Sequence, residues 1–252
     1  MSPSEKTLRF VTYNIHSCVG IDNKYDPARV AAFIKDFDVA GLQEVEAFDH
    51  RRGYEDQFKT IQKLSGMSGV FAPNLVTFPR LFGNSLFSKH YISWSSNLPL
   101  AFPPGLLAEP RGLLQAQISY DDLGPIFVWV THFGLSEEEE VYSAQQLVQR
   151  SAQLTYSLGG DTPNLVILGD LNAEPSSRAL KVLTDAGFQS AGDQSVKTWP
   201  EDHPEQRIDY VLFTRKWELV DWQALDLPNS DHRPLLAELA LKRADLISGR
   251  RA

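Results

Sequence analysis

Cysteine is almost absent from this sequence, and long apolar runs are missing altogether. The one cysteine among 252 residues, Cys18, excludes an internal disulfide, so nothing in the composition indicates an oxidising compartment. No apolar run approaches the roughly 20 residues that a membrane-spanning helix needs. The first residues, MSPSEKTLRF, also lack the basic and apolar segments of a secretory signal. We therefore expect a cytoplasmic protein with no transmembrane segment.

A surplus of basic residues is missing as well. The chain has 24 Lys and Arg against 32 Asp and Glu, which gives a formal charge of -8. Proteins that hold duplex nucleic acid through its phosphates usually present a basic face. The charge therefore lowers the expectation of a strong nucleic-acid binder. A local basic groove stays compatible with it, and metal-binding carboxylates would themselves add to the negative sum.

The length and composition suit one globular domain. Chains of about this size commonly fold as one α/β domain with a large core. An apolar fraction of 42% and a charged fraction of 22% are ordinary for such a domain. We expect one domain over residues 1–252, with its core at about 8–241 and a surface tail at 242–252. No obligate protein partner is indicated.

Several catalytic signatures are also absent. The chain has no GxSxG, no GxxxxGK[ST] and no GxGxxG after its first strand, which argues against the enzyme classes that depend on those motifs. A zinc site would need several cysteines or spaced histidines. Cys18 lies near His16, but residues so close in sequence rarely face each other as nucleophile and base, so this alternative is disfavoured.

Short apolar runs bounded by Gly, Pro, Asn or Asp predict strands along most of the chain. They are LRFVTYNI, VAGLQEV, NSLFS, LLQAQISY, IFVWVTHF, NLVILGDL, RIDYVLF, LVDWQAL and PLLAELAL. Helices are predicted after Asp26, after Ser136 with its acidic run Glu137 to Glu140, in SSRALKVLTDAG and, more weakly, in YEDQFKTIQKLSG. Because several strands follow one another directly, we expect largely antiparallel or mixed sheets covered by helices.

Polar side chains recur at or near the ends of these strands. They are Asn14, Glu44, His132, Asp170 and Asn172, with Asp209 inside an apolar strand and Asp231 and His232 before the last one. Each alone could be a turn former, a helix cap or a histidine satisfied in the core. A buried carboxylate without a partner costs several kcal/mol, however, so the recurrence favours a common site. Oxygen donors predict a hard cation, Mg²⁺ or Mn²⁺, and the added histidines suit metal-assisted hydrolysis of a phosphate ester.

An ordered set of motifs gives this chain a family resemblance. The set is TYNIH, LQEV, GNSLFSK, RGLLQAQI, THF, ILGDLNAEP, TWP, RIDYVLF and SDHRPLLAEL. It resembles the endonuclease/exonuclease/phosphatase superfamily of deoxyribonuclease-like, metal-dependent phosphohydrolases, from about Leu8 to Leu241. YNIHSCVG followed by DPARVAAFI is similar to small stand-alone bacterial members. The resemblance implies an α/β fold, a four-layer sandwich of two packed mixed β-sheets flanked by helices, with the site at one end of the sheets.

The resemblance also implies metal ligands and catalytic roles. Glu44 would be the principal metal ligand, supported by Asn14 and Asp231. Asp170 and Asn172 would position the attacking water and the scissile phosphate, with Asp170 as the base.

Three further residues complete the implied site. His232 would contact the phosphate, Asp209 would orient His232 and keep it protonated, and His132 would be a second phosphate-contacting histidine.

Two positions carry open alternatives. Some members use a tyrosine against the phosphate in the stretch where this chain has PRGLLQA, and Arg111 is the candidate for an equivalent electrophilic role. Its alternative is a surface arginine at a strand start. In nucleases of the family the second histidine also pairs with an extra glutamate, for which Glu46 and Glu109 are the candidates.

The substrate is the widest open question, because the fold does not decide it. Our leading prediction is a phosphodiester hydrolase that acts as a nuclease. The alternatives are a phosphodiesterase or phosphatase for phospholipids, inositol phosphates or other small molecules, and a binding module that kept the fold without catalysis. The segment SKHYISWSSNLPLAFPPGLLAEPRG could line an apolar pocket or touch lipid, but a hairpin packed on the domain is the favoured interpretation.

Overall fold

The computed structural model describes residues 7–120 and 124–242, which form two six-stranded β-sheets and four α-helices. The first sheet has the order β11-β12-β1-β2-β4-β3. Its strands are β1 (Thr7–Asn14), β2 (Val39–Ala47), β3 (Ser68–Thr77), β4 (Arg80–Ser88), β11 (Trp217–Ala224) and β12 (Leu235–Leu241). The second sheet has the order β5-β6-β7-β8-β10-β9. Its strands are β5 (Tyr91–Pro99), β6 (Gly112–Tyr120), β7 (Gly124–His132), β8 (Leu165–Asp170), β9 (Gln189–Ser190) and β10 (Asp209–Phe213).

Both sheets are mixed. The pairs β1–β2 and β7–β8 are parallel, and the other neighbouring strands run antiparallel. The sheets pack face to face through a core that includes Phe10, Leu86, Val128 and Leu168. Gly41 lies in this core, where a Cβ would come within 2.8 Å of the Leu168 side chain, so only glycine fits between the sheets there.

Helices cover the outer face of each sheet. Helices α1 (Pro27–Ile34) and α2 (Gln57–Ser65) pack on the first sheet. Helices α3 (Glu137–Ser157) and α4 (Arg178–Asp185) pack on the second. Side chains alternate between the faces of a strand, and β1 accordingly sends Phe10 into the inter-sheet core. Its neighbour Val11 packs under α1 and α2. The result is the four-layer sandwich that the resemblance implied.

The helix starts and ends agree with the sequence signals. The side chain of Asp26 accepts from the backbone N–H of Ala28 and caps α1. Ser136 and Glu139 form a capping box at the start of α3, so the acidic run Glu137 to Glu140 begins a helix, as expected. No helix in the described ranges has both the length and the apolar character that a membrane crossing requires.

Two sequence expectations need correction, and one lies outside the described residues. Strand β2 does not end at Glu44 but continues to Ala47, because a β-bulge between Leu42 and Val45 interrupts its pairing with β4. No apolar run in the sequence predicted strands β3, β5 and β9. The segment 91–99 pairs with β6, which agrees with the favoured hairpin interpretation. Apart from Lys242, the predicted tail lies beyond the described residues.

Candidate active site

Polar side chains meet at one end of the sandwich. Asn14, His132 and Asp170 are the last residues of β1, β7 and β8. Asp209 begins β10 and lies opposite Asp170 in the antiparallel register. His232 precedes β12, whose first residues pair with the end of β1. The connectivity therefore brings together side chains that lie far apart in the sequence.

Asp170 is the centre of this group. Its Oδ2 accepts a hydrogen bond from Asn14 Nδ2 at 2.9 Å. The same oxygen lies 3.4 Å from His132 Nε2 and 3.8 Å from His232 Nε2. Its Oδ1 accepts from the backbone N–H of Asn172 at 3.0 Å. One buried carboxylate thus faces two imidazoles and an amide.

Burial governs the acidity of Asp170. Loss of solvation raises its pKa to about 7, and the negative charge of Asp209 acts in the same direction. The nearby His232 and the hydrogen bonds from Asn14 and Asn172 oppose this rise. The carboxyl group therefore titrates near neutral pH, which suits a group that exchanges protons with a substrate or water.

His232 is held as an imidazolium by its acidic surroundings. Burial alone would lower its pKa, but Asp209, followed by Asp170 and Asp231, raises it to about 10. The closest contact joins His232 Nδ1 to Asp209 Oδ2 at 3.0 Å, so the Nδ1–H donates and Nε2 faces Asp170. Sequence and structure agree on this pairing.

His132 is the uncharged counterpart of His232. Its pKa lies well below the ordinary value because the ring is buried and because Arg111 and His232 are positively charged. Arg111 Nη1 lies 3.2 Å from His132 Nδ1 and donates to it, which leaves the proton on Nε2, towards Asp170. Arg111 also pairs with Glu109 at 3.1 Å, and its side chain is mostly buried.

The acidic contact of His132 is Asp170 itself and not an extra glutamate. Glu109 reaches the histidine only through Arg111. Glu46 is bound by Arg80 instead. The alternative of a surface arginine at position 111 does not describe this structure, because Arg111 is 11% exposed at the side chain and bonded to His132.

Glu44 reaches the site from inside a strand. The bulge in β2 places it at φ +59°, a left-handed conformation that is strained for any residue except glycine. Its Oε1 accepts from Asn14 Nδ2 at 3.0 Å, the nitrogen that also donates to Asp170. Asn14 Oδ1 accepts from the backbone N–H of His16. The Nδ2 of Asn14 thus donates to two carboxylates. Its side-chain amide would have to flip, exchanging the positions of oxygen and nitrogen, before the oxygen could be a metal ligand.

Asp231 lies among side chains that sequence reasoning missed. Its Oδ1 is 3.5 Å from His16 Nδ1, and its Oδ2 accepts from Trp199 Nε1 at 3.3 Å. His16 has φ +43° and begins three consecutive left-handed residues. The same loop packs closely on the segment before Asp231, because a Cβ on Gly20 would sit 2.3 Å from the Pro228 oxygen. TYNIH and TWP contain these residues, but nothing local signals their contact with Asp231.

Asn172 and Cys18 are the two remaining residues for which the sequence suggested or disfavoured a catalytic role. Asn172, at φ +50°, donates its side-chain amide to the Phe133 carbonyl at 3.1 Å, so its side chain braces the loop after β7. Cys18 is 1% exposed, and burial raises the pKa of its thiol well above the ordinary value. A buried thiol of this kind is a poor nucleophile, which agrees with the disfavoured Cys-His alternative.

The oxygen donors near Asn14 fit a hard divalent cation. Glu44 and Asp170 share the Asn14 amide as a donor. Asp231 joins them through Ser230, whose hydroxyl lies 2.7 Å from the Asn14 carbonyl oxygen and 3.3 Å from Asp231 Oδ1. Carboxylates gathered in this way repel one another unless a cation offsets them. The set is rich in oxygen and has no cysteine, so it suits Mg²⁺ or Mn²⁺ better than zinc.

Asp170, Asp209 and His232 form a second, buried cluster, in which one potential ligand atom from each residue lies within 4.8 Å of the others. As an imidazolium, His232 has no lone pair for a cation, so only the two carboxylates of this cluster could bind one. Among residues 7–120 and 124–242, no group bonds the buried Oδ1 of Asp209. An orphaned carboxylate oxygen is costly in a protein interior, so a charged partner in this cluster would relieve it.

Comparisons with known proteins identify the fold. The model of the Endonuclease/Exonuclease/phosphatase family matches residues 11–232, which confirms the resemblance noted in the sequence. No curated protein sequence matches the chain.

Three solved structures are similar over nearly the whole chain. An endonuclease/exonuclease/phosphatase from Beutenbergia cavernae is 22% identical, with a TM-score of 0.71 and coverage of 94% of this chain and 72% of that one. The mannosyl-6-phosphatase Bt3783 of Bacteroides thetaiotaomicron is 18% identical, with a TM-score of 0.75 and coverage of 93% and 100%. The human Nocturnin catalytic domain with bound sulfate is 19% identical, with a TM-score of 0.73 and coverage of 94% and 95%. At these identities the likeness establishes the fold.

Proposed function

The chain belongs to the endonuclease/exonuclease/phosphatase family, and from this premise we propose that it is a divalent-cation-dependent phosphodiester hydrolase that directs water at phosphorus. One observation carries the proposal. A single buried carboxylate oxygen, Asp170 Oδ2, faces the Asn14 amide, His132 and His232. Such a convergence offers a base, an imidazolium and hydrogen-bond donors around one reacting group.

Asp170 is the proposed general base. Its pKa of about 7 lets the carboxylate form near neutral pH and still accept a proton from attacking water. Asn14 and the backbone N–H of Asn172 hold its two oxygens in fixed directions. The base therefore needs little reorganisation during the reaction.

His232 and Arg111 are the proposed positive groups against the phosphate. His232, kept charged by Asp209, presents Nε2–H beside Asp170. Arg111 holds the neutral ring of His132, which presents its own Nε2–H towards the same place. Positive charge and fixed donors would stabilise the negative charge that builds up on phosphoryl oxygens in the transition state.

A cation, Mg²⁺ or Mn²⁺, completes the proposal. Glu44 and Asp231 would hold it with Asn14 in support, and when bound it would neutralise phosphoryl oxygens. The family resemblance in the sequence favours nucleic acid as the substrate. The alternative, a small-molecule phosphodiesterase or phosphatase, gains support from the similar Bacteroides mannosyl-6-phosphatase.

The test is hydrolysis of bis(p-nitrophenyl) phosphate with added Mg²⁺ or Mn²⁺ and with EDTA. We expect activity that EDTA removes, and a loss of at least about 100-fold in Asp170→Ala and His232→Ala. Asp185→Ala, at an exposed residue that ends α4, is the matched control and should keep full activity. Activity that persists in EDTA or in both site variants would show that the mechanism is wrong. A folded protein that binds no Mn²⁺ by calorimetry would instead indicate a binding module without catalysis.

A further inference from the structure

The candidate site opens into a ring of loops, which we call the site rim. Strands β1, β7 and β8 end at this side of the molecule, and β4, β6, β10 and β12 begin there. The site rim consists of the loops that join these ends and the first turn of α3. It comprises residues 15–26, 48–56, 77–80, 100–111, 133–140, 171–178, 191–208 and 225–234.

Most lysines and arginines of the site rim are already held by carboxylates. The pairs are Lys24–Asp22 at 3.6 Å, Lys197–Glu174 at 3.3 Å, Arg233–Asp226 at 3.5 Å, Arg178–Glu137 at 3.8 Å, Arg51–Asp49 and Arg80–Glu46. Exposed pairs such as Lys24–Asp22 and Arg178–Glu137 add little to stability. Each one nevertheless cancels a positive charge that a polyanion would need for binding.

The charges that remain on the site rim are mostly negative. Nine of its carboxylates have no lysine or arginine within 4.0 Å in the part of the chain that the structure describes: Glu55, Asp56, Glu138, Glu139, Glu140, Asp193, Asp202, Glu205 and Asp231. A nucleic-acid strand carries one negative charge per nucleotide, and its binding depends on unpaired cations along the track. The flanking phosphates of a polynucleotide would therefore meet repulsion on leaving the site.

One arginine of the site rim, Arg111, lies beside the candidate site itself, where it is bonded to His132 and paired with Glu109. Within the described ranges, the buried Nε of Arg111 has no hydrogen-bond partner, so this donor is unsatisfied. The arrangement places one guanidinium beside the site, within a rim that is acidic.

Apolar side chains lie near Arg111. A small cleft beside it is lined by Leu100, Ala101, Phe102, Pro103 and Gly134, together with Glu139 and Ser143. Leu107, in the same loop as Leu100 to Pro103, is 94% exposed, and Leu135, which follows Gly134, is 77% exposed. These two leucines give the loops that line the cleft an exposed apolar surface, which suits contact with an apolar ligand.

We infer that the substrate is a small ester with a single phosphate group and uncharged, largely apolar alcohol parts, and that polynucleotides are poor substrates. The inference rests on the proposed function, because it concerns the substrate of the same site. It selects the small-ester alternative over the nuclease. It also assigns a role in substrate specificity to the site rim. The negative charge of the rim would repel polynucleotides, and its apolar side chains would contact the small esters.

The sign of the salt dependence tests the charge argument. The Mg²⁺-supplemented enzyme would be assayed on bis(p-nitrophenyl) phosphate and on a labelled thymidine oligonucleotide at a series of NaCl concentrations. Repulsion between the site rim and the oligonucleotide is screened by salt, so kcat/KM on the oligonucleotide should rise or stay level. A nuclease that grips phosphates would lose kcat/KM steeply as counterions compete. The small ester should respond weakly.

Charge reversal on the site rim gives a gain-of-function test. The double variant Glu137→Lys/Glu138→Lys should raise kcat/KM on the oligonucleotide several-fold at low salt, with little change on the small ester. The matched control, Glu218→Lys/Asp221→Lys, changes the net charge equally on β11, away from the site rim, and should raise neither. Unchanged activity on the small ester shows that each variant is folded.

A comparison of two alkyl esters tests the apolar argument. Hexyl p-nitrophenyl phosphate should show a several-fold lower KM than methyl p-nitrophenyl phosphate, because the longer chain reaches apolar side chains. Leu107→Ser/Leu135→Ser should remove that difference and leave the methyl ester unaffected.

The outcomes separate this inference from the proposed function. If no phosphate ester is hydrolysed with any divalent cation, the proposed function fails. If the small ester is hydrolysed but the oligonucleotide is the better substrate with a falling salt dependence, the proposed function stands and the charge argument is overturned. Equal KM values for the hexyl and methyl esters overturn the apolar argument.

Discussion

Removing the charge of Asp209 should release the proton that His232 holds. In the folded protein, the pKa of His232 is about 10, and its closest partner is Asp209 at 3.0 Å. Two unit charges with centres about 4 Å apart attract by about 4 kcal/mol at an effective dielectric constant of about 20, which equals about 3 pKa units. Asp209→Asn keeps the shape and removes this attraction. We expect the pKa of His232 to fall from about 10 to about 7 in this variant.

The assay is a ¹H–¹³C NMR titration of the histidine rings in metal-free protein. The chain has six histidines, and the His232 signal is assigned by its loss in His232→Gln. Asp202→Asn removes an equal charge from the exposed surface and should leave the His232 signal unchanged. The reasoning is refuted if the wild-type His232 titrates near its ordinary value of 6.5, or if Asp209→Asn leaves its pKa unmoved.

The same pair makes stability depend on pH with a defined sign. Because the folded-state pKa of His232 is raised above the unfolded value of 6.5, its contribution is complete below about pH 6.5 and is lost as the pH rises to about 10. In urea unfolding with EDTA, the free energy of unfolding should therefore fall more between pH 7 and 9 in wild type than in Asp209→Asn. In that variant, the pKa values of His232 in the folded and unfolded states both lie near neutral pH. Equal falls in the two proteins would contradict the coupling.

Three further substitutions separate stability from activity. Glu44→Gly relieves a left-handed φ that costs about 1 kcal/mol. The thermal midpoint of this variant should therefore match or exceed that of wild type, while its phosphodiester hydrolysis should be lost. A fully active variant would contradict the role of Glu44. Gly41→Ala forces a Cβ against Leu168 and should lower the free energy of unfolding by about 2 kcal/mol in urea, whereas an unchanged value would mean that the sheets yield easily. Arg111→Met should lower kcat/KM about 100-fold, with no recovery in Arg111→Lys because an ammonium lacks the planar fork that holds His132; recovery by lysine would reduce Arg111 to a point charge.

Much of the architecture could be predicted from local signals. The caps Asp26 and Ser136 identify helix starts because their side chains satisfy backbone N–H groups within one turn. Asn14 and Asp170 end strands that read as apolar runs in the sequence. The unpredicted strands β3, β5 and β9 lie at sheet edges. Strands β3 and β5 are partly exposed on both faces, so they lack the alternation that identifies a strand.

The inner geometry of the candidate site was less predictable, because it depends on long-range contacts. The bulge at Glu44 arises from the pairing of β2 with β4. No glycine between Leu42 and Val45 indicates it in the sequence. The contact between His16 and Asp231 joins two loops that are distant in sequence. The direction of the Asn14 amide follows from three partners at once, two of them carboxylates from other strands. The roles of these residues stay predictions until they are tested by substitution.

The most direct test of the central claim is to follow oxygen during turnover in H₂¹⁸O. Wild-type protein with Mg²⁺ or Mn²⁺ would be given bis(p-nitrophenyl) phosphate, and both products would be examined by mass spectrometry. If the site directs water at phosphorus with Asp170 as base, ¹⁸O should enter the phosphate product, and Asp170→Asn should form that product at least about 100-fold more slowly. Label in p-nitrophenol, or an undiminished rate in Asp170→Asn, would contradict the account.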